Sequence, residues 1–372
     1  MKLRLSYGQQ GNDNVDPFQY LLKYALGRNY VFGNKDVEGI YPEGLPNEAI
    51  TWEVANTYNV ALDGTLWKGA LGFEIDLFRT VRSNILAQRN ASIPQYTGLI
   101  SLPSENIGEV RNQGIDMLLT HYSKLDRVGL NLSGNFLYAR NRVIDIDETP
   151  WGEGYDYMKA EGKPMGTNLY YHAIGIFRTQ DDLDRYPAIA GAGLGDLIYE
   201  DMDGNGVIDG MDRVRANLMH FPEIVFGLNI GLDWRDFDVS MLLQGQARAQ
   251  QLVHMRIDHT GNAFRERTDN RWTPDNINGT MPRVESITST SAESDFWMKD
   301  ATFLRLKNLE IGYTLPRTLS GRLNISEARI YLSAYNLLTF DRIKIMDPES
   351  DQAGANYYPQ MKIFNTGISI TF

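Results

Sequence analysis

The sequence predicts an all-β fold of antiparallel strands, and three observations support this prediction. Apolar residues alternate with polar or small residues along many segments, as they do in strands with two different environments. Short connections between these segments alternate with much longer ones. Aromatic residues, for example Trp52, Trp67 and Trp234, lie near the ends of several segments. We count about twelve candidate strands on this basis.

The composition excludes several other classes of protein. The chain has 372 residues and a formal net charge of -11, which argues against a surface that binds nucleic acid. It contains no cysteine, so disulfides and thiolate metal sites are excluded. No apolar run approaches the ~18 residues of a membrane-spanning helix. The N-terminus lacks the pattern of a signal peptide, so we expect either a protein that is not exported or the downstream part of a longer chain.

The first half of the chain contains five clear alternating segments. Leu3, Leu5 and Tyr7 share one face of the first. The second runs from Trp52 toward Asp63-Gly64, a dipeptide typical of a tight hairpin turn. Alternation resumes over residues 67–77, then over 115–120, and is most regular over 128–138. Residues 81–105 and 145–220 are expected to form long loops, with some regular pattern around 169–177.

The second half repeats this organisation. Residues 224–234 and 237–244 alternate on either side of a turn at Arg235-Asp236. Residues 252–295 are polar and are expected to form a loop. Residues 303–313 alternate with a phase slip near Lys307-Asn308, which predicts a β-bulge. Two further strands are expected around 328–334 and 364–372.

Alternation alone fits both a soluble sandwich or barrel, with apolar residues inside, and a membrane barrel, with apolar residues facing lipid. Three features favour the membrane barrel. The polar faces carry Asn, Gln, Asp, Glu, Arg and Gly rather than the mixed charges of a soluble surface. Short turns alternate with long loops, as they do at the two ends of outer-membrane barrels. The aromatic residues at the strand ends fit an interfacial girdle.

One acidic segment has the residue spacing of a calcium loop. Positions 1, 3, 5, 7, 9 and 12 of an EF-hand-like loop correspond to Asp201, Asp203, Asn205, Val207, Asp209 and Asp212. Gly206 stands at position 6, where the sharp turn requires glycine. Ca²⁺ takes six to eight oxygen ligands, which alternate side chains and the Val207 carbonyl can supply. We predict a structural Ca²⁺ here, although an external loop rich in Asx turns without metal is the alternative.

The last eight residues resemble the C-terminal signal that barrel assembly machinery reads. Nine further segments carry motifs in order along the chain: residues 106–115, 161–166, 175–177, 195–213, 271–276, 281–283, 296–308, 335–340 and 347–349. Together these segments resemble the SusC/RagA family of TonB-linked outer-membrane transporters of Bacteroidetes.

The resemblance implies an importer of oligosaccharides, or less often peptides, in the cell outer membrane of a Gram-negative, Bacteroidetes-like organism. It implies outer-membrane lipid, a SusD-like surface lipoprotein and the TonB complex as partners. Family members form barrels of 22 strands, and residues 1–372 resemble roughly the C-terminal half of such a barrel with long extracellular loops. No signal peptide, TonB box or plug domain is recognisable in this sequence, so coupling to TonB is expected to run through parts found elsewhere.

The remaining site predictions concern aromatic residues. Rings in external loops can stack on sugars, and these positions are the candidates: Tyr170, Tyr171, Trp272, Tyr357 and Tyr358. We find no nucleophile elbow, phosphate loop, zinc-protease motif or dinucleotide fingerprint, so we do not expect an enzyme. The alternative function is a soluble, secreted, calcium-dependent carbohydrate-binding β-protein.

Overall fold

The protein is built on one antiparallel sheet of ten long strands that follow one another in chain order. A computed structural model describes residues 1–42, 44–89, 102, 104–253, 264–284, 292–320, 325–350 and 360–372. The ten strands are β1 (Lys2–Asn12), β2 (Glu53–Leu66), β3 (Leu71–Gln88), β4 (Ser104–Leu125), β5 (Val128–Asp145), β6 (Ile224–Trp234), β7 (Phe237–Ala247), β8 (Phe303–Thr314), β9 (Glu327–Asp341) and β10 (Ile363–Thr371).

The connections of this meander alternate strictly between its two ends. At the turn end, strands are joined through residues 67–70, 126–127, 235–236 and 315–326. At the loop end, the connections are residues 13–52, 89–103, 146–223, 248–302 and 342–362. The predicted alternation of short and long connections is therefore confirmed. All five long connections lie at the same end of the sheet.

The long connections contain small elements of their own. Short strand pairs are Tyr24–Leu26 with Ile40–Pro42, Tyr30–Phe32 with Lys35–Val37, Leu169–Tyr171 with Arg213–Arg215, Ala173–Ile176 with Leu197–Tyr199, and Gln250–Leu252 with Met298–Asp300. Short α-helices span Gln180–Arg185, Arg265–Asp269 and, at the turn end, Arg317–Ser320. Single 3-10 turns span Trp67–Gly69, Asp156–Met158, Gly210–Asp212 and Asp295–Trp297. In the described ranges, no helix is long and apolar enough to cross a membrane, a result that does not concern crossing by strands.

The sheet has an apolar face that stays exposed. Directly paired residues share a face, and Leu5 with Val60, Phe136 with Phe226, and Ile330 with Ile368 all lie on this side. Leu5 is 70% exposed and Ile368 66% exposed. Within the described ranges no second sheet covers these side chains. This arrangement is the reverse of a soluble sandwich, in which the apolar faces are buried against each other, and it is that of a membrane barrel wall.

The opposite face is polar and is partly covered at the loop end. It carries pairs such as Asn131 with Gly231 and Ser240 with Glu310. Arg305 and Ser333 lie on this face and are only 1% and 3% exposed. The burial of Arg305 comes from the chain that follows β9, because Arg305 forms ion pairs with Asp347 and Glu349. Long connections therefore fold back over the polar face instead of extending freely from it.

Two local predictions need correction and one is confirmed. Asp63-Gly64 is not a turn but lies inside β2, because Gly64 pairs with Phe73, whose ring leaves no room for a Cβ there (2.6 Å to the nearest ring carbon). The turn comes at Trp67–Gly69 instead. The expected loop at residues 81–105 is shorter than predicted, since β3 continues to Gln88 and β4 begins at Ser104, which leaves residues 89–103 as the connection. The bulge near Lys307-Asn308 is present between Leu306 and Asn308.

Candidate functional site: the acidic loop and its supporting layer

The acidic loop connects Leu197–Tyr199 to Arg213–Arg215 at the loop end of the sheet. Its first turn is held by Asp201, whose Oδ1 accepts from the Gly204 N–H at 2.8 Å and whose Oδ2 accepts from the Gly206 N–H at 2.8 Å. Gly204 and Gly206 have φ values of 73° and 83°, a region that favours glycine. The chain can therefore wrap around the Asp201 carboxylate. These N–H donors hold the pKa of Asp201 below its ordinary value.

The loop is closed by Asp212, whose side chain is fully buried. Its two oxygens accept from the N–H groups of Met202 and Asp209, each at 2.8 Å. Asp209 in turn caps the 3-10 turn Gly210–Asp212 by accepting from the Met211 N–H at 2.7 Å. The beginning and the end of the loop are thus fixed against each other without help from a distant element.

Three of the six predicted calcium ligands come together in this fold. One carboxylate oxygen from each of Asp201, Asp203 and Asp212 lies within 4.8 Å of the others. Asp209 lies outside this group and serves as the cap, and Val207 is 57% exposed. Three anionic carboxylates this close repel one another unless a cation or a set of donors offsets their charge.

Two tyrosines attach the acidic loop to the preceding part of the same connection. The Tyr155 hydroxyl donates to Asp203 Oδ2 at 3.0 Å, and the Tyr157 hydroxyl donates to the Met211 carbonyl at 2.9 Å. The hydrogen bond to the Asp203 carboxylate raises the pKa of Tyr155. Desolvation raises the pKa of Tyr157. The loop is therefore tied at Asp203, one of its clustered carboxylates, and at the 3-10 turn.

A small hydrophobic core supports the loop from below. Ile176, Leu197, Tyr199 and Ile208 pack with Trp272, which comes from the next long connection. The two connections are also joined by an ion pair between Asp196 and Arg283. We call the described parts of residues 146–223 and 248–302 the loop layer. It is a packed structure with its own interior, and the acidic loop lies on it.

The loop layer also holds a buried arginine that has no carboxylate partner among the ion pairs of the described residues. Arg267 is 5% exposed and donates to the carbonyls of Pro282 and Arg283 at 3.0 and 3.2 Å. Its guanidinium lies 5.0 Å from the ring centroid of Trp297. Burial lowers the pKa of Arg267 to about 10. Carbonyl dipoles and an aromatic face thus replace the usual counter-ion.

The predicted sugar-stacking residues occupy different environments. Tyr170 lines a cavity of about 200 Å³ together with Asn168, His220 and Gln250. Tyr171 is half-buried, with its ring centroid 5.0 Å from that of Tyr199. Trp272 is 8% exposed and belongs to the core of the loop layer, a position that does not support stacking on a ligand from solvent. Tyr357 and Tyr358 lie outside the described residues.

Three features of this region were not predicted from the sequence: the Asp196–Arg283 pair, the Arg267 site and the Arg305 anchor. Each depends on partners far apart in the chain, 87 residues in the case of Asp196 and Arg283. The one available signal was that Arg283 and Arg305 lie in segments that carry the family resemblance, residues 281–283 and 296–308.

Comparison with known proteins decides the family. The family described as "TonB dependent receptor-like, beta-barrel" matches residues 1–337. The chain belongs to this family. TonB-dependent receptors of this class are outer-membrane proteins, and the resemblance to SusC and RagA is confirmed by the relatives described next.

Two curated relatives are TonB-dependent receptor P3 of Formosa agariphila and TonB-dependent receptor SusC of Bacteroides thetaiotaomicron. The first is 26% identical over 400 residues, covering 100% of this chain and 39% of the relative. SusC is 24% identical over 399 residues, covering 100% of this chain and 37% of the relative. This TonB-dependent receptor chain therefore spans about 40% of the length of the curated relatives it matches.

Solved structures show the same fold. The chain superposes on the RagAB peptide transporter with a TM-score of 0.70 at 22% identity, covering 100% of this chain and 40% of the other. The RagAB peptide importer in its open-open state gives a TM-score of 0.72 at the same identity and coverage. These transporter structures therefore share the fold of this chain, which is a long antiparallel sheet with few helices.

Proposed function

We propose that this chain forms part of a SusC-type importer in the outer membrane. The observation that carries the proposal is the orientation of the ten-stranded sheet, whose apolar face is exposed and whose polar face is partly covered at the loop end. A wall of this kind separates lipid from a wet interior. The family membership gives that interior a transport role.

The proposed cargo is an oligosaccharide, or less often a peptide. SusC is named among the relatives, and the RagAB structures are described as a peptide transporter. The cavity beside Tyr170 combines an aromatic ring with amide and imidazole groups of Asn168, Gln250 and His220. Such a mixture of an aromatic ring and polar groups is suited to sugars, which offer both an apolar face and hydroxyl groups. We therefore favour an oligosaccharide.

The partners follow from the same proposal. A SusD-like lipoprotein would cover the loop end, where all five long connections emerge. Energy would come from TonB acting on a plug, and residues 1–372 would supply ten strands of a 22-stranded barrel in a longer receptor. The share of the relatives that this chain covers supports that division.

Growth experiments test the proposal. Deleting the gene for the whole receptor is expected to abolish growth on one class of oligosaccharide while growth on glucose is unchanged. The receptor, isolated from outer membranes with detergent, is expected to bring a SusD-like lipoprotein with it. Equal growth of the deletion and parent strains on every oligosaccharide and peptide supplied would contradict the transport proposal. A chain that stays dispersed without detergent would instead favour the soluble carbohydrate-binding alternative.

We also propose that the acidic loop binds Ca²⁺ and that the ion fixes this external loop. The three clustered carboxylates of Asp201, Asp203 and Asp212 support the proposal. The predicted spacing adds Asn205, the Val207 carbonyl and Asp209 as further ligands. Oxygen ligands of this kind suit a hard cation such as Ca²⁺.

Tyr155 provides a spectroscopic test of calcium binding. A cation beside Asp203 offsets the negative charge that raises the pKa of Tyr155, so added Ca²⁺ is expected to lower that pKa. The phenolate absorbance of the receptor minus that of its Tyr155→Phe variant isolates this group. The shift should disappear in the D201N/D203N variant. It should persist in the control variant D181N/D184N, which removes the same number of charges from the helix Gln180–Arg185. An unchanged titration on adding Ca²⁺ would refute the proposed site.

A further inference from the structure

A group of arginines lies on the outward side of the sheet at the loop end. Arg111 of β4 pairs directly with Arg142 of β5, and Gln113 pairs with Arg140. Ile115 and Tyr138 form the next outward pair in the same ladder. Since side chains alternate along a strand, Arg111, Arg140 and Arg142 lie on the face that carries the apolar residues. Arg248 joins them, because both Arg140 and Arg248 form ion pairs with Glu223.

The height of this group can be placed from the strand geometry. The outward residues of β5 are apolar or small from Val128 to Tyr138. At ~3.4 Å per residue and a tilt of about 45°, this stretch rises about 24 Å, close to the ~25 Å apolar band of outer-membrane barrels. Arg140 and Arg142 follow two and four residues later, roughly 5 to 10 Å above the band on the same geometry. They therefore lie at the level of the lipid headgroups.

The charge of this group is opposite to that of the chain. The whole sequence has a net charge of -11. Two of the four arginines, Arg140 and Arg248, form ion pairs with Glu223 in the described part of the chain. Glu109 and Asp145 oppose each other further along the ladder, beyond Val110 and Val143, so four arginines stand against three carboxylates here. The local excess of positive charge is therefore positioned where an outer-leaflet lipid carries its headgroup.

The arginines are held in place but not saturated. Arg140 and Arg142 both donate to Asn217 Oδ1, at 2.9 and 3.2 Å. The Nε of Arg111 is buried and has no hydrogen-bond partner among the described residues. Guanidinium groups present several donors in a planar fork that matches phosphate oxygens. Within the described residues, no side-chain hydrogen bond or ion pair engages the Nη groups of Arg111 or the Nε and Nη2 of Arg142, so these are the donors that a phosphate could occupy.

We propose that Arg111, Arg140, Arg142 and Arg248 bind the phosphate group of a glycolipid in the outer leaflet of the outer membrane. The lipid's acyl chains would lie along the apolar face below Tyr138. This proposal rests on the membrane location of the sheet and not on what the receptor transports. The bound lipid would hold β4, β5 and the start of β6 at a fixed depth.

The test uses the full-length receptor in detergent and measures the binding of lipid A by native mass spectrometry. R111Q/R142Q leaves the Glu223 ion pairs intact. It should weaken binding at least about 10-fold, because it removes the charge-assisted hydrogen bonds of two guanidinium groups. R185Q/R265Q removes two arginines from the helices Gln180–Arg185 and Arg265–Asp269 and should bind as the wild type does. R111K/R142K keeps the positive charges but lacks the planar guanidinium fork, so its affinity for lipid A should be intermediate. This variant tests the proposal if R111Q/R142Q does not fold.

Two further arms identify the ligand's source. Dephosphorylated lipid A should bind weakly and equally to all variants. Millimolar inorganic phosphate should fail to displace intact lipid A, because it lacks acyl chains. Equal lipid A binding by R111Q/R142Q and wild type overturns the proposal. Tight binding of dephosphorylated lipid A shows adhesion through the apolar face alone, and full displacement by inorganic phosphate shows a plain anion site; either outcome also overturns it.

Discussion

Arg283 donates two parallel hydrogen bonds to Asp196, from Nε to Oδ1 at 2.9 Å and from Nη2 to Oδ2 at 2.8 Å. The Asp196 side chain is fully buried, and Arg283 remains 32% exposed. Asp196 Oδ2 also accepts from the Gly193 N–H at 2.8 Å. This pair joins the two long connections that make up the loop layer, on which the acidic loop lies.

Removing Arg283 should destabilise the loop layer locally. Arg283→Ala leaves a buried carboxylate without its counter-ion, which typically costs about 3 kcal/mol. Hydrogen exchange of amides 193–199 measures the loss. The double variant D196A/R283A should lose less than the sum of the single variants. Arg265→Ala, at the exposed pair with Asp269, is the control and should change the opening free energy by less than about 0.5 kcal/mol.

Substitutions at Trp272 and Tyr170 should have different effects, the first on the stability of the loop layer and the second on binding of the cargo. Trp272→Ala removes a core ring and is expected to destabilise the loop layer by about 3 kcal/mol or more. Tyr170→Ala, at the cavity wall, should leave that stability nearly unchanged and reduce uptake of the proposed oligosaccharide cargo. Hydrogen exchange and an uptake assay on the same two receptors distinguish the roles. Loss of uptake in Trp272→Ala with unchanged exchange would show instead that Trp272 contacts the cargo.

The Asp201 carboxylate should make the acidic loop sensitive to acid. Its pKa is lowered in the folded loop by the N–H groups of Gly206, Gly204 and Asn205. A lowered pKa contributes stability that is fully present above the unfolded value of about 3.9 and is lost as the pH falls through the folded value. Exchange protection at Gly204 and Gly206, corrected for intrinsic rates, should therefore decline only below about pH 4. Asp181→Asn should retain this profile, and Asp201→Asn should lose it.

Arg305 should hold the chain after β9 against the polar face. It is 1% exposed and donates to Asp347 at 2.8 Å, Gln360 at 2.7 Å and Thr339 at 3.0 Å. Arg305→Ala leaves Asp347 and Glu349 without this counter-ion. It should expose residues 342–350 to protease while β8 and β9 stay intact. Lys307→Ala, on the neighbouring and more exposed cation, should have little effect; equal cleavage in both variants would argue against an anchoring role for Arg305.

The strands were predictable because each has a strong local signal. The alternation over residues 128–138 reports a face toward lipid and a face toward water, and no distant contact is needed to read it. Strand ends were less predictable. Beyond the lipid band, as in residues 81–88, both faces meet polar surroundings and the alternation weakens, although the backbone ladder continues.

The candidate site was predictable in part for the same reason. The acidic loop is fixed largely by bonds between residues close in sequence, so its spacing indicated its clustered carboxylates. The loop layer instead depends on pairs such as Arg267 with Trp297 and Asp196 with Arg283. Nothing in the local sequence of Asp196 indicates a partner in another connection. Trp272 looked like a binding residue for the same reason, since a tryptophan in a polar segment does not reveal that the segment has a core.

The loop between β5 and β6 begins and ends on adjacent strands, where Tyr138 pairs with Ile224. Tyr138 and Ile224 are therefore about 5 Å apart across the ladder, whatever the 85 residues between them do. Such a segment is an exchangeable cassette. The segment could be replaced during evolution without changing the ten-stranded sheet. It could also be grafted from one receptor onto another by protein engineering. The companion surface on residues 248–302, through Arg283 and Trp272, would have to be exchanged with it.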